Sequence, residues 1–153
     1  MNFDTKLDQL YIDLPEPPPT MGAVAHVVRA GKLLFVSGVL PRAEGGKIMT
    51  GRAGVEVRLD AAKAAAHAST VMALAMLAQE LGGSLTSIKR IVQISLAVAC
   101  GADFKDHLKV ADATGELLQQ IFGAAGKSAR SAIGATSLPE GATVELSMIV
   151  EIK

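Results

Sequence analysis

The chain has 153 residues, half of them hydrophobic, which suffices for one well-buried core and does not require two. Fifteen basic and fifteen acidic residues give a formal net charge of zero, so the long-range attraction on which nucleic-acid binders rely is absent and nucleic acid is an unexpected partner. A chain this apolar with only 3% aromatic residues either has an unusually alanine-filled interior or buries a face against another subunit, and of the two we expect a homo-oligomer.

The single cysteine, Cys100, cannot form an internal disulfide, which fits a reducing compartment. Asp4, Lys6 and Asp8 stand where a secretory leader would be apolar, and we expect no membrane-spanning segment and a cytoplasmic location. The chain has three histidines, none with a second ligand at metal spacing, so neither a metal nor a cofactor is expected.

Residues 1–20 are predicted to form an N-terminal arm, and residues 21–153 a single domain. The run Leu14–Pro19 contains four prolines, which restrict the backbone to extended or polyproline geometry. A proline-rich ligand for a partner domain is the alternative interpretation, but the run has no flanking basic residues. We therefore interpret it as a lead-in arm.

Two apolar runs between Val24 and Leu40 flank Arg29–Lys32, so a glycine-containing turn is predicted to join a first pair of strands. Asp60 is a good N-cap for a helix that runs to Gln79. Apolar residues repeat there at helical spacing: Ala64, Ala68, Val71, Ala75, Ala78 and Leu81. The many alanines predict a helix that packs flat on a sheet.

A third strand is predicted over Ile88–Cys100, where apolar residues alternate with small or polar ones. Its second face could line a cleft. Asp103 is expected to cap a second helix that stops at Gly123. Its predicted buried stripe consists of Phe104, Leu108, Ala111, Leu118 and Phe122.

Residues 127–152 are predicted to form a hairpin around a turn at Leu138–Gly141, where proline and glycine suit the turn positions. If Ser137 pairs with Ala142, Arg130 and Glu145 share a face, with their backbones roughly 13 Å apart. This predicts a candidate anion site beside a carboxylate. The whole order of elements predicts an α+β two-layer sandwich, with a mostly antiparallel sheet and two helices on one face.

The steps Ala129-Arg130-Ser131, Leu138-Pro139 and Val144-Glu145-Leu146 follow one another as in the C-terminal signature of the RidA (YjgF) family of enamine/imine deaminases, also labelled endoribonuclease L-PSP. With Val36-Ser37-Gly38 upstream, the chain resembles that family over roughly residues 22–152. The resemblance implies a chorismate-mutase-like fold and a homotrimer with clefts between subunits. It also implies hydrolytic deamination of small 2-imino or enamino acids to 2-keto acids and ammonia.

In that family, the arginine at the position of Arg130 grips a substrate carboxylate, and the glutamate at the position of Glu145 holds or activates a water. A planar guanidinium suits the first role and a carboxylate the second. The chain departs from the family at two places. Val24 stands where better-known members have a tyrosine that contributes to the site, and Ala132 stands where they often have a cysteine.

Two other functions stay open. A non-catalytic homotrimer that binds a small carboxylate is favoured by the missing tyrosine. An endoribonuclease or translation inhibitor is disfavoured by zero net charge, one tyrosine and no tryptophan. Binding of single-stranded RNA generally uses aromatic side chains on which bases stack, together with a positively charged groove. From the residues alone, Arg130 and Glu145 could also be ordinary surface side chains.

Overall fold

The computed structural model describes residues 2–153, which form three α-helices and five β-strands. The helices are α1 (Phe3–Gln9), α2 (Leu59–Glu80) and α3 (His107–Phe122). The strands are β1 (Val27–Ala30), β2 (Leu33–Val39), β3 (Ile88–Ala99), β4 (Ala129–Ala135) and β5 (Val144–Ile152). The predicted α+β class is confirmed.

One sheet has the strand order β1-β2-β5-β3-β4, and every neighbouring pair is antiparallel except β3 and β4. The predicted turn at Arg29–Lys32 is confirmed, with Gly31 at a φ of 61°. Along β5 every second residue is buried, because α2 and α3 cover one face of the sheet. The central strands β3 and β5 supply much of the core, including Ile94, Leu96, Leu146 and Val150.

The alanines of α2 let it lie close to the sheet and to α3, as the sequence predicted. Ala62, Ala65, Ala66 and Ala73 are fully buried. The helix is also long and apolar enough to cross a membrane, contrary to our expectation that no segment would qualify. However, 67% of its most apolar stretch is buried inside the chain, so this property is explained by its place in the core. The cytoplasmic location stays a prediction.

The second predicted helix begins later than expected. Asp103 does not cap it; the amide of Phe104 instead donates to the carbonyl of Gly101 in a preceding turn, and α3 starts at His107. Leu108, predicted in the buried stripe, is exposed, whereas Ala111, Leu118 and Phe122 are buried. Gly123 ends the helix as predicted.

The N-terminal arm contains a helix, α1, that the sequence analysis did not predict. The side chain of Asn2 accepts from the amide of Asp4 and caps it. Leu7 is buried, and the rings of Phe3 and Phe122 meet edge to face with centroids 4.7 Å apart. The arm is therefore packed on the domain.

The predicted C-terminal hairpin is not formed. β4 lies at the sheet edge, parallel to β3, while β5 lies between β2 and β3. Ala142 pairs with Thr50 instead of Ser137, and the amide of Thr143 donates to the carbonyl of Met49. The segment between β4 and β5 therefore crosses over the end of β3. In this arrangement β3 and β5, the two most regularly apolar strands, pair with each other at the centre of the sheet.

Candidate active site

The sheet face opposite the helices is uncovered and carries a cavity of about 270 Å³. Side chains alternate between the two faces of a strand, so the residues between the core residues of β3, β4 and β5 point into this cavity. They are Ser95, Ala97, Ser131, Ile133, Glu145 and Ser147. The predicted cleft-lining face of β3 is thereby confirmed. One carboxylate and three hydroxyl groups lie there beside aliphatic surface.

Glu145 is seated by an irregularity in β2. Val36 pairs with Met148 and Val39 with Leu146, so Ser37 and Gly38 together lie opposite one residue of β5. This is a β-bulge, a device that re-aims side chains near functional sites. A methyl group on Gly38 would lie 2.8 Å from Cδ of Glu145 and 2.9 Å from its Oε2. The carboxylate therefore rests directly on a glycine backbone.

The three serines form a row across the sheet. Ser95 is in register with both Ser131 on β4 and Ser147 on β5. The hydroxyl of Ser131 donates to that of Ser95 at 3.5 Å. Since a hydroxyl both donates and accepts, the row offers polar contacts to a water or a small polar ligand.

Arg130 does not share this cavity with Glu145, so the predicted common face is wrong. Arg130 pairs with Ile94 and Glu145 pairs with Ala97. Ile94 and Ala97 are three residues apart on one strand, and an odd spacing places side chains on opposite faces. Within one chain, the sheet itself separates the guanidinium from the carboxylate.

The guanidinium of Arg130 lies at the edge of the helix layer. Its Nη1 donates to Oδ1 of Asp112 on α3 at 2.6 Å, beside a cavity of about 340 Å³ that Glu116 and Lys127 also line. Within residues 2–153 this bond uses one of the five N–H donors of the guanidinium. Its remaining donors leave Arg130 able to bind a second carboxylate.

No three His, Cys, Asp or Glu side chains within residues 2–153 converge as ligands for a metal ion. Cys100 and His107 do meet, with Sγ and Nε2 3.6 Å apart, beneath Gly134. The thiol is buried. This pair is a packed contact of the core edge and lies on the helix side of the sheet, away from Glu145.

Comparison with known proteins identifies the family. The family model described as "YjgF/chorismate mutase-like, putative endoribonuclease" matches residues 4–151. The chain belongs to this family. The resemblance found in the C-terminal sequence is thus confirmed, and it extends across α1 as well as the sheet.

Three similar proteins align over nearly the whole chain. Protein TCP17 of Trypanosoma cruzi is 33% identical over 147 residues, covering 95% of this chain and 91% of TCP17. The structure of Atu1372 from Agrobacterium tumefaciens, of unknown function, is 34% identical, covers 99% of this chain and 94% of its own, and superposes with a TM-score of 0.90. The structure of a protein from Shewanella oneidensis described as a "putative endoribonuclease" is 25% identical, covers 99% of this chain and 100% of its own, and has a TM-score of 0.93.

The two departures from the YjgF family pattern have clear structural settings. Val24 is 58% exposed in the segment before β1 and does not line the Glu145 cavity. Ala132 pairs with the core residue Leu96 and faces the helix side, like Arg130. Sequence reasoning missed Gly38 and the serine row as site residues. The sequence features that could have indicated them were the Ser37-Gly38 step, which favours a β-bulge, and the alternation of polar with apolar residues along β3.

Proposed function

We propose that the chain hydrolyses small 2-imino or enamino acids to 2-keto acids and ammonia, at sites formed between copies of the chain. The observation that carries this proposal is the seating of the Glu145 carboxylate on Gly38, in an open-face cavity lined by hydroxyl groups. A carboxylate held in this way can orient a water and accept its proton. Membership of the YjgF family supports the same reaction class.

Each site would combine Glu145 of one copy with Arg130 of another. Arg130 belongs to β4, an edge strand, so its guanidinium can reach across that edge but not through its own sheet. Val28, Phe35 and Ile133 leave exposed apolar surface on the uncovered face, which supports burial against another copy. The homotrimer implied by the family resemblance would supply one such contact per copy.

The proposed chemistry divides between the two residues. The guanidinium of Arg130 binds the substrate carboxylate through two parallel N–H donors and fixes the imine carbon. Glu145 accepts a proton from water as the water oxygen attacks that carbon, and the proton passes to nitrogen. The resulting carbinolamine releases ammonia and leaves the keto acid. Since imines hydrolyse readily in water, the required lowering of the barrier is modest.

One distant structure of the same fold supports a ligand of this size and charge. TdcF of Escherichia coli, 16% identical with a TM-score of 0.64 over 90% of this chain and 94% of its own, has a structure with bound serine. Serine, like a 2-imino acid, carries a carboxylate beside a carbon bonded to nitrogen. We propose the same general class of small carboxylate for this chain.

Release of keto acid from imines tests the proposal. An amino-acid oxidase generates the imines, and the purified protein is expected to accelerate keto-acid formation above the uncatalysed rate. Arg130→Ala and Glu145→Gln should each abolish the acceleration. The exposed residues Arg58 and Glu80 provide matched controls, since Arg58→Ala and Glu80→Gln should retain it. Full activity in Arg130→Ala would exclude the carboxylate clamp.

Binding without turnover is the second candidate function, favoured by Val24. A valine cannot donate the hydrogen bond that a tyrosine would supply. Calorimetry with small keto acids would distinguish the two. Binding that Arg130→Ala weakens, in protein that never accelerates imine hydrolysis, would establish a carboxylate-binding protein.

Cleavage of RNA is a third candidate, because the description of the YjgF family includes an endoribonuclease. The formal net charge of zero disfavours it. RNA cleavage that survives rigorous purification and disappears in Glu145→Gln would favour it over deamination.

A further inference from the structure

A second concave site lies in the helix layer and shares no residue with the Glu145 cavity. It is a groove of about 850 Å³ between the arm, the loop after β2 and the exposed side of α2. Its lining includes Tyr11, Glu16, Arg42, Glu44, His67 and Val71. The volume is within the range of small-molecule sites in proteins.

The arm, which forms one wall of this groove, is held by hydrogen bonds. On the arm, the side chain of Asp4 accepts from the amide of Leu85 at 3.0 Å, and the amide of Ile12 donates to the carbonyl of Leu7 at 2.9 Å. The carbonyl of Pro18 is hydrogen-bonded to the ring of His26. A preformed groove binds a ligand without the cost of ordering its own walls.

The floor is apolar and comes from part of the helical stripe that the sequence displays on α2. Ala75 and Ala78 of that stripe are buried in the core, whereas Ala64 is exposed and Ala68 and Val71 line the groove. The α2 stripe thus turns away from the sheet over its first half. This leaves apolar surface that the fold itself does not cover.

The rim is acidic. Asp13, Glu16 and Glu44 contribute three negative charges and Arg42 one positive charge, a net charge of −2 with His67 counted as neutral. Nη1 of Arg42 is bound to the carbonyl of Gly46 at 2.9 Å. The electrostatic balance favours a positively charged ligand.

Tyr11 stands at the mouth of the groove in a backbone conformation that favours glycine. Its φ is 55° and its side chain is 94% exposed. It follows Leu10, the C-cap of α1, at a position where glycine is the usual residue, and a tyrosine there costs roughly 1–2 kcal/mol. Burial does not compensate this cost. Such an outlier motivates a functional explanation for the side chain.

We propose that this groove binds a small organic cation with an aliphatic body. The body would lie on Ala68 and Val71, and the ammonium group would lie between the ring of Tyr11 and the carboxylates of Glu16 and Glu44. Aromatic faces attract ammonium ions, and the carboxylates add charge complementarity. This site is independent of the proposed deaminase site.

Tyrosine fluorescence tests the proposal directly, because the chain has one tyrosine and no tryptophan. Titration with n-hexylammonium should give a saturable change in Tyr11 emission, half-complete on the order of 1 mM. 1-Hexanol and hexanoate, which have the same apolar body, should bind at least about fivefold more weakly. Equal responses to all three, or no saturation with hexylammonium at about tenfold higher concentration, would overturn the proposal.

Variants locate the binding. Replacing both Glu16 and Glu44 by glutamine should weaken hexylammonium binding about fivefold, whereas Glu80→Gln, at the far end of α2, should not change it. Ala68→Leu should fill the floor and abolish binding while circular dichroism stays unchanged. Binding that Ala68→Leu leaves intact would place the ligand elsewhere. Ligand-free protein in which acrylamide cannot quench Tyr11 would show another copy covering the groove and would also overturn the proposal.

Tyr11→Gly separates a ligand role from a structural one. By relieving the positive φ, it should raise the midpoint of thermal unfolding, yet calorimetry should show weaker hexylammonium binding. A variant that is more stable and binds hexylammonium as well as the natural protein would leave Tyr11 without the proposed role.

Discussion

Replacing Gly38 by alanine should move the Glu145 carboxylate without damaging the fold. The added methyl group would lie 2.8 Å from Cδ of Glu145, whereas carbon atoms in contact normally lie about 3.5–4.0 Å apart. The carboxylate must therefore shift by roughly 0.7–1.2 Å. The φ of Gly38 lies outside the left-handed region, so alanine adds no backbone strain.

The expected consequence is a loss of activity at nearly constant stability. A misplacement of about 1 Å can cost about 100-fold in rate, so we expect kcat/KM to fall about 10- to 100-fold, or about 1.4–2.7 kcal/mol of transition-state stabilisation. The clash involves the flexible end of a side chain, so the midpoint of thermal unfolding should change by only a few degrees. Keto-acid release and differential scanning calorimetry measure the two effects.

A double-mutant cycle with Glu145→Asp gives the sharpest control. The shorter side chain withdraws the carboxylate from Gly38, so Gly38→Ala should cost little further activity in the Glu145→Asp background. The two changes should thus be strongly non-additive. Additive losses, or full activity in Gly38→Ala alone, would refute the inference that this glycine seats the carboxylate.

Three further changes have defined outcomes. Asp112→Asn keeps a hydrogen-bond acceptor for Arg130 but removes a negative charge beside it, so KM for a carboxylate substrate should fall about two- to fivefold. A rise in KM in steady-state assays would contradict the proposed role of Arg130 in binding the substrate carboxylate. Thr70→Val removes a buried hydroxyl that donates a hydrogen bond to Thr114 at 2.9 Å. Urea titration should show a free energy of unfolding that is lower by about 1–2 kcal/mol. An unchanged free energy would mean that this bond does not stabilise the contact between α2 and α3. Ile133→Asp places a charge on the uncovered sheet face, where Ile133 is 62% exposed. Sedimentation velocity should then show smaller assemblies than the natural protein forms. Assemblies of unchanged size would exclude this face as the interface between copies.

Local sequence patterns predicted the helices and strands better than they predicted which strands pair with each other. The alternation from Val144 to Ile152 indicated a strand with one wholly apolar face, and β5 has that form. The same alternation could not reveal that β5 is inserted between β2 and β3. Strand neighbours depend on contacts between residues far apart in sequence, so a plausible hairpin turn at Leu138–Gly141 was mistaken for a connection between paired strands.

The candidate site was predicted in part for the same reason. The family motif predicted Arg130 and Glu145 as site residues, and their roles stay a proposal. The common face expected for them followed from the assumed hairpin and was wrong. Gly38 was visible only as part of a motif, because the bulge that brings it under Glu145 depends on the register between β2 and β5. The helix α1, which precedes the part of the arm that lines the groove beside α2, was missed because the four prolines between Pro15 and Pro19 dominated the interpretation of the arm.

Subunit complementation tests most directly whether Arg130 and Glu145 act together from different copies. Arg130→Ala and Glu145→Gln proteins, each inactive alone, are mixed under conditions that exchange subunits, and hybrid assemblies are verified by native mass spectrometry. In a random equal mixture, about a quarter of the sites between copies should hold both natural residues, restoring about a quarter of the natural activity. Verified hybrids with no activity above the parent proteins would contradict a site shared between copies.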